Sequence, residues 1–237
     1  MRTHVLILGA LFVAACAPAA NNGNSEAEVG ATTAARMDAD ADVRPSGASG
    51  LPTGYLGRTD KATTNIADAK YVVAGSSWEI TTGPAHIAYS PRNQATGNYT
   101  LRSTIEQLAA PRHREAFGLI FGGQNLDTPA QEYTYFVVAG TGEMLVKHRK
   151  GDVTRDLIGW HKTEWVPAAD AQGQQIYRLE VRVSGDSVRF VVNDVVAGAL
   201  SKSALSFQTD GIAGLRVNHN LALRATPPTI TSGTPAR

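Results

Sequence analysis

Apolar and polar side chains alternate over short stretches of this chain, which is the pattern of half-buried β-strands. The stretches Tyr99–Glu106 and Ile176–Val183 show this period of two most clearly. Two groups of turn residues, Ser184-Gly185-Asp186 and Asn193-Asp194, lie between further alternating stretches and predict hairpins. Additional strands are predicted at Trp78–Thr81, His86–Ser90, Ala116–Phe121, Tyr133–Val138, Glu143–Arg149, Val153–Gly159, Val188–Val192 and Ile212–Asn218, with one short helical turn near Lys202–Phe207. Many short strands separated by turns predict an all-β sandwich or barrel.

The N-terminus has the features of a secretory signal. Arg2 and His4 precede an uninterrupted apolar run, Val5–Ala15, which is too short to cross a bilayer because a helical span needs roughly 20 residues. The run ends at Cys16, the only cysteine of the chain, and the residues before it resemble the lipobox of bacterial lipoproteins. We therefore expect a signal peptide at 1–15 and acylation of Cys16, which also excludes a disulfide. The alternative is an ordinary secretory signal that ends near a cysteine by chance.

Composition divides the rest of the chain into three parts. Residues 16–54 are rich in Ala, Asn, Ser, Gly and Thr and contain no aromatic residue, so they are predicted to form the lipidated cysteine and a disordered tether. Residues 55–226 are predicted to form one folded domain, and residues 227–237 a flexible tail. The formal net charge is +1, which gives no reason to expect a nucleic-acid partner.

Four segments of the predicted domain resemble a known superfamily. They are Gly97–Thr100, Ala116–Gly123, Tyr133–Phe136 and Gly211–Leu221, which contain a Gly-rich strand, an aromatic strand and a late Val217-Asn218 pair. In this order they resemble the concanavalin A-like lectin and glucanase jelly rolls, and among those the bacterial domains near the 3-keto-disaccharide hydrolase-like proteins. The resemblance implies a jelly-roll β-sandwich of two antiparallel sheets. Its implication for activity is weak, because this scaffold supports binding, hydrolysis and lyase chemistry.

The predicted strands lack the residue pattern of a glycosidase. Retaining enzymes of this superfamily place two carboxylates about 5–5.5 Å apart, and a cluster on one strand would supply them because residues i and i+2 share a face. Glu106, Glu143 and Glu180 each stand alone on their strands, so no catalytic residue is predicted, although carboxylates of different strands could converge. The six histidines have no ligand spacing, and neither a metal site nor a cofactor is predicted.

Aromatic and polar residues provide candidates for ligand binding. Trp160 and His161, predicted to lie in a loop, could stack on a sugar ring and donate to a hydroxyl, and Tyr133 and Tyr135 share one strand face. The alternative for all these aromatic rings is core packing. Asn218 and His219 follow a strand, where His219 has the parity of apolar neighbours and could instead be a buried, hydrogen-bonded histidine.

A basic row has the opposite parity to the apolar residues of its strands. Lys147, Arg149 and Arg216 form this row, which could meet an acidic glycan or simply be solvated.

Three functions fit these observations. The preferred hypothesis is a membrane-anchored cell-envelope lipoprotein whose domain binds a glycan or glycoconjugate. A glycoside hydrolase or lyase and a structural or protein-partner module are the alternatives. Ala17 stands where an inner-membrane retention signal would place Asp, so the outer membrane is expected if the host has two membranes.

Overall fold

The computed structural model describes residues 41–233. The predicted signal peptide, Cys16, the tether up to residue 40 and the last four residues of the tail lie outside this part of the chain. Within the described residues, no helix has the length and apolar composition needed to cross a bilayer.

The described chain consists of strands with two single-turn 3-10 helices, at Ile66–Asp68 and Lys202–Ala204. The strands are β1 (Leu56–Thr59), β2 (Lys70–Ala74), β3 (Ser77–Thr81), β4 (His86–Ala95), β5 (Tyr99–Gln107), β6 (Ala116–Gln124), β7 (Glu132–Ala139), β8 (Glu143–Lys150), β9 (Val153–Lys162), β10 (Gln175–Ser184), β11 (Ser187–Val192), β12 (Val195–Ser201), β13 (Gly211–Val217), β14 (Ala222–Ala225) and β15 (Thr229–Ser232). All strands predicted from the alternation are present. The missed strands, β1, β2, β14 and β15, have five residues or fewer, too few for a clear period.

These strands form two antiparallel sheets. One has seven strands in the order β1-β4-β13-β6-β7-β8-β9. The other has eight, in the order β12-β11-β10-β5-β14-β3-β2, with β15 paired to β5 beside β14. The predicted jelly-roll sandwich is therefore confirmed.

The core lies between the two sheets, and alternation determines which residues enter it. Tyr99, Leu101 and Ile105 of β5 and Tyr177 of β10 are at most 1% exposed and pack against Phe117 and its neighbours on the seven-stranded sheet. The positive φ angles of Asn193 (49°) and Asp194 (71°) close the predicted two-residue turn after β11.

The folded domain extends further at both ends than the composition indicated. Gly50 is buried and its N–H donates to the Ala69 carbonyl at 2.9 Å, so chain predicted to be tether packs against β2. At the other end β15 pairs with β5 inside the predicted tail. Ordered chain therefore extends past the predicted limits of 55 and 226, because backbone hydrogen bonds order these segments although they contribute few apolar side chains.

The seven-stranded sheet also buries apolar residues on its outer face. Ile120 of β6, Tyr133, Tyr135 and Val137 of β7 and Leu145 of β8 form a second cluster there, against which Trp160 packs. Gly118 lies opposite Arg216 in this sheet, and a Cβ at Gly118 would lie 2.1 Å from the Phe136 carbonyl oxygen. The central strands β6 and β7 therefore have both faces covered, and polar residues surround the outer cluster.

Candidate functional site

A cavity of about 350 Å³ lies at one end of the seven-stranded sheet, at its outer face. We call it the Trp160 cavity. The segments after β1 and β13 and before β4 and β6 contribute to its wall, together with Trp160 of β9 and Asp42 of the N-terminal segment. Antiparallel pairing brings these strand ends to the same edge, so residues distant in sequence meet there. Its lining residues are Asp42, Asp60, Lys61, Thr64, Ala85, Arg114, Glu115, Trp160, Arg216, Asn218 and His219.

An arginine–aspartate pair forms one side of the Trp160 cavity. Arg216 donates to Asp60 through both terminal nitrogens, Nη1 to Oδ1 at 2.6 Å and Nη2 to Oδ2 at 2.5 Å. Arg149 approaches the same carboxylate at 3.6 Å. The Asp60 N–H donates to the Ala85 carbonyl at 2.9 Å, which fixes the carboxylate relative to the sheet. Bidentate pairing of this kind holds both groups in one orientation.

The pairing favours the charged form of both side chains. Burial raises the pKa of Asp60, but the charges of Arg216 and Arg149 and the hydrogen bonds from Arg216 outweigh this effect and hold that pKa below its usual value. Burial lowers the pKa of Arg216, and here Asp60 outweighs burial, so that pKa is raised. Asp60 is therefore a poor general acid at neutral pH.

A histidine held between two carboxylates forms another side. His219 Nδ1 lies 3.2 Å from Asp42 Oδ1, and its Nε2 lies 2.9 Å from Glu115 Oε1. Both ring nitrogens thus lie within hydrogen-bonding distance of a carboxylate oxygen. Asn220, in the left-handed conformation at φ 52°, accepts the Val43 N–H at 2.9 Å, which ties the N-terminal segment to this turn.

Trp160 forms the aromatic part of the wall. Its indole packs on the outer apolar cluster and lies under the Arg114 guanidinium, whose central carbon is 4.5 Å from the ring centroid. Arg114 also donates to Glu143 at 3.0 Å. The cation–π contact and this ion pair fix the orientation of the ring.

Three of the six predicted ligand-binding residues meet in the Trp160 cavity: Trp160, Asn218 and His219. His219 is neither buried nor in the strand, because β13 ends at Val217 and the strand parity does not continue past it. His161 does not line the cavity, although it follows Trp160 directly. Both residues belong to β9 rather than to the predicted loop, and successive strand residues point to opposite faces.

Tyr133 and Tyr135 do not form an open platform. They lie on the outer face as their parity predicts, but Tyr133 is 1% exposed and Tyr135 is 9% exposed. The Arg216 guanidinium covers Tyr135 at 5.5 Å from the ring centroid. The two phenols therefore support the arginine–aspartate pair. The core-packing alternative also fails for Trp160, which packs on the outer apolar cluster rather than between the sheets, and for the neighbouring Trp165, which is 45% exposed.

The sequence pattern did not single out the carboxylates of the site. Asp42, Asp60 and Glu115 line the Trp160 cavity, whereas Glu106 and Glu180 lie on the eight-stranded sheet and Glu143 lies outside the lining. Asp60 and Glu115 are just outside strands and Asp42 lies in the segment before β1, so a search for pairs within strands does not find them. The available signal is that Glu115 directly precedes the predicted strand Ala116–Phe121, whereas Asp60 follows β1, which the alternation did not predict. Among residues 41–233, no group of three or more His, Cys, Asp or Glu side chains is arranged to hold a metal ion.

Comparisons with known proteins identify the architecture. No protein-family model matches the sequence, and no curated protein matches it. The chain is similar to a Bacteroides ovatus mixed-linkage glucan GH16 protein in complex with a G4G4G3G product, with a TM-score of 0.55 and 8% identity over 78% of this chain and 98% of that one. It is also similar to a Bacillus subtilis protein of unknown function with a galectin-like fold, with a TM-score of 0.53 and 8% identity over 80% and 92% of the two chains. Residues 41–233 thus have the jelly-roll fold that the sequence resemblance implied.

Proposed function

We propose that this domain binds a saccharide in the Trp160 cavity and that the chain is a cell-envelope lipoprotein anchored through Cys16. The observation that carries the first part is the convergence of one indole with polar side chains from the N-terminal segment and four strand ends. A sugar ring presents an apolar C–H face and an edge of hydroxyl groups, so it needs an aromatic surface beside fixed donors and acceptors.

The charges of the cavity favour an uncharged ligand. The cavity lining carries equal numbers of carboxylates and of lysine or arginine side chains: Asp42, Asp60 and Glu115 against Lys61, Arg114 and Arg216. These ions compensate one another, so a ligand need not bring charge to the site. The cavity volume, about 350 Å³, is at the lower end of the range of small-ligand sites, roughly 300–1,000 Å³. The glucan-bound GH16 protein of similar fold supports a saccharide over other neutral ligands.

A glycan array followed by calorimetry tests the proposal. The chain from Ala17 onward is applied to the array, and the affinity of the strongest glycan is measured for the unsubstituted chain, Trp160→Ala and Trp165→Ala. Loss of an aromatic anchor at a true site costs about 2 kcal/mol, which is about a 30-fold loss of affinity. Trp165 is the matched control, because it is exposed and does not line the cavity.

Circular dichroism of each variant separates loss of binding from loss of folding. Equal effects of the two substitutions, or binding to no glycan, would contradict the proposed site. An affinity that falls steeply with added salt would contradict an uncharged ligand.

Hydrolysis or elimination of a glycoside is the second candidate function. The observation that favours it is the convergence of Asp42, Asp60 and Glu115 in one cavity with His219 between two of them. The test is product release from the array glycans, followed by Glu115→Gln and Asp60→Asn. Turnover that both substitutions reduce by about a hundredfold or more, the scale of general acid–base catalysis, would replace the binding proposal.

The anchor is tested separately in cells. Cys16→Ser is expected to abolish incorporation of labelled palmitate and to change processing or release the chain from membranes, because acyl chains supply the membrane affinity. Fractionation of a two-membrane host should place the unsubstituted chain in the outer membrane. Labelling that persists in the variant would contradict acylation at this residue.

A further inference from the structure

A second cavity adjoins the first. It has a volume of about 360 Å³ and lies between the segment before β6, the β7–β8 turn and the loop before β10. We call it the Gln107 cavity, after the residue of β5 that lines it. Arg114 and Glu115 line both cavities. The two cavities are therefore neighbours that share part of their wall.

Close backbone contacts fix the walls of the Gln107 cavity. Gly173 has φ +77°, and a Cβ there would lie 2.0 Å from the backbone nitrogen of Ala110. A Cβ at Gly140 would lie 2.7 Å from the amide group of Gln107, which is itself 1% exposed. The Gln107 amide donates to the Gly173 carbonyl at 2.7 Å, and the Ala169 N–H donates to the Gly140 carbonyl at 2.8 Å. The cavity is thus built into the domain, and binding there requires little ordering of the protein.

The residues shared by the cavities are placed to contact a ligand that passes between them. Arg114 is held on the Trp160 ring and by Glu143, yet 45% of its side chain is exposed. Beyond it, Arg112 is exposed and lines the Gln107 cavity. Guanidinium groups offer several donors in a fixed plane, which suits hydroxyl groups on successive sugar units.

From this arrangement we propose that the ligand is an oligosaccharide chain, which occupies the Trp160 cavity with one part and the Gln107 cavity with the next. The inference rests on the proposed function and specifies its ligand as a chain of several units rather than a single sugar. The Trp160 cavity supplies the aromatic anchor, and the Gln107 cavity adds affinity only for ligands long enough to pass Arg114.

An array of chain-length series tests this inference. It carries β-glucan, xylan, mannan, galactan and N-acetylglucosamine chains, each from one to six units, and calorimetry follows on the class that binds. Affinity should rise by about tenfold or more, equivalent to about 1.4 kcal/mol, between two units and five, and then level off. Equal affinity for two and six units would overturn the inference while leaving the proposed function intact. Binding to no series at all would overturn the proposed function.

Two substitutions locate the gain. Ala169→Trp fills the Gln107 cavity and should abolish the gain with length while leaving the affinity for two units within about twofold. Ala171→Trp is the matched control, because Ala171 is exposed in the same loop and does not line the cavity.

Arg112→Ala, which removes an exposed side chain of the same cavity, should also reduce the gain in affinity with chain length. This variant provides the test if Ala169→Trp does not fold. Trp160→Ala should weaken all lengths alike. A gain with length that survives Arg112→Ala and any folded Ala169→Trp would overturn the inference.

Discussion

The outer faces of the two sheets differ in how they accommodate charged side chains. On the eight-stranded sheet, Arg224 lies between Glu79 at 3.1 Å and Glu106 at 2.8 Å, and all three side chains are at least 28% exposed. On the seven-stranded sheet, Arg216 pairs with Asp60 over a buried apolar cluster, and its side chain is 7% exposed. The first face is a cross-strand row of solvated ion pairs. On the second face the Arg216–Asp60 pair is largely buried, and the Trp160 cavity lies beside it.

The difference indicates which face is specialised for a ligand. Exposed cross-strand ion pairs contribute little stability and are common on solvated sheet faces. The row on the eight-stranded sheet therefore needs no ligand to explain it. A buried pair carries a large desolvation penalty, and it persists only where its geometry is excellent or its position serves another purpose. Arg216 meets both conditions, because it pairs with both oxygens of Asp60 and lines the Trp160 cavity.

The largest expected effect comes from breaking that buried pair. Arg216→Ala leaves the Asp60 carboxylate without its main partner and should lower the free energy of unfolding by about 3 kcal/mol. Arg224→Ala, the matched change on the other sheet, should lower it by at most about 1 kcal/mol. Urea denaturation followed by circular dichroism measures both. Similar costs for the two substitutions would mean that the faces do not differ in the way described.

A second effect depends on pH and on a histidine beside the buried pair. Burial lowers the pKa of His86 to about 4, although the hydrogen bond to the Pro84 carbonyl acts in the opposite direction. Its Nε2 lies 2.6 Å from the Tyr71 hydroxyl, which donates to the neutral ring. Since the unfolded chain, with an ordinary histidine pKa near 6.5, binds more protons between these values, stability falls as pH drops from about 6.5 towards 4.

Between pH 7 and pH 5 the loss attributable to His86 should be about 2 kcal/mol. Denaturation at the two pH values measures it, and His86→Gln should remove most of the difference. His113→Gln is the control, because His113 is exposed. Burial also lowers the pKa of His148, so part of the pH dependence should remain in the His86 variant. A pH dependence unchanged by His86→Gln would contradict the neutral, buried state of this ring.

The sequence predicted the sheets better than the site, for a physical reason. Alternation is a local signal, so β5 and β10 could be read from their own residues and paired in the expected sandwich. The ligand cavity depends on which strand ends meet, which is a property of the topology. Trp160, Asn218 and His219 were proposed separately and meet there, whereas the approach of Asp60 to Arg216 joins residues 156 positions apart. No local pattern reports such a contact.

The N-terminal boundary gives an effect of intermediate size. A chain that begins at Tyr55 loses the Asp42–His219 contact, the Val43–Asn220 hydrogen bond and the pairing of Gly50 with β2, all of which a chain that begins at Asp42 keeps. We expect the shorter chain to melt about 5 °C lower, equivalent to about 1–2 kcal/mol for a domain of this size. It should also bind saccharide more weakly, since Asp42 lines the Trp160 cavity. Equal melting temperatures and affinities would restore the boundary at residue 55.

The smallest expected effect distinguishes two partly exposed carboxylates, one on each sheet. Glu143 accepts hydrogen bonds from the Thr141 hydroxyl at 2.7 Å and from Arg114 at 3.0 Å, and Arg114 in turn lies on Trp160. Glu143→Gln should therefore loosen Arg114 and weaken saccharide binding by about two- to fivefold, the range expected for one exposed ion pair. Glu106→Gln removes a comparable pair, with Arg224, and should leave the affinity unchanged because it lies on the other sheet. Calorimetry on both variants decides the point, and an effect of Glu106→Gln equal to that of Glu143→Gln would remove the distinction between the two outer faces.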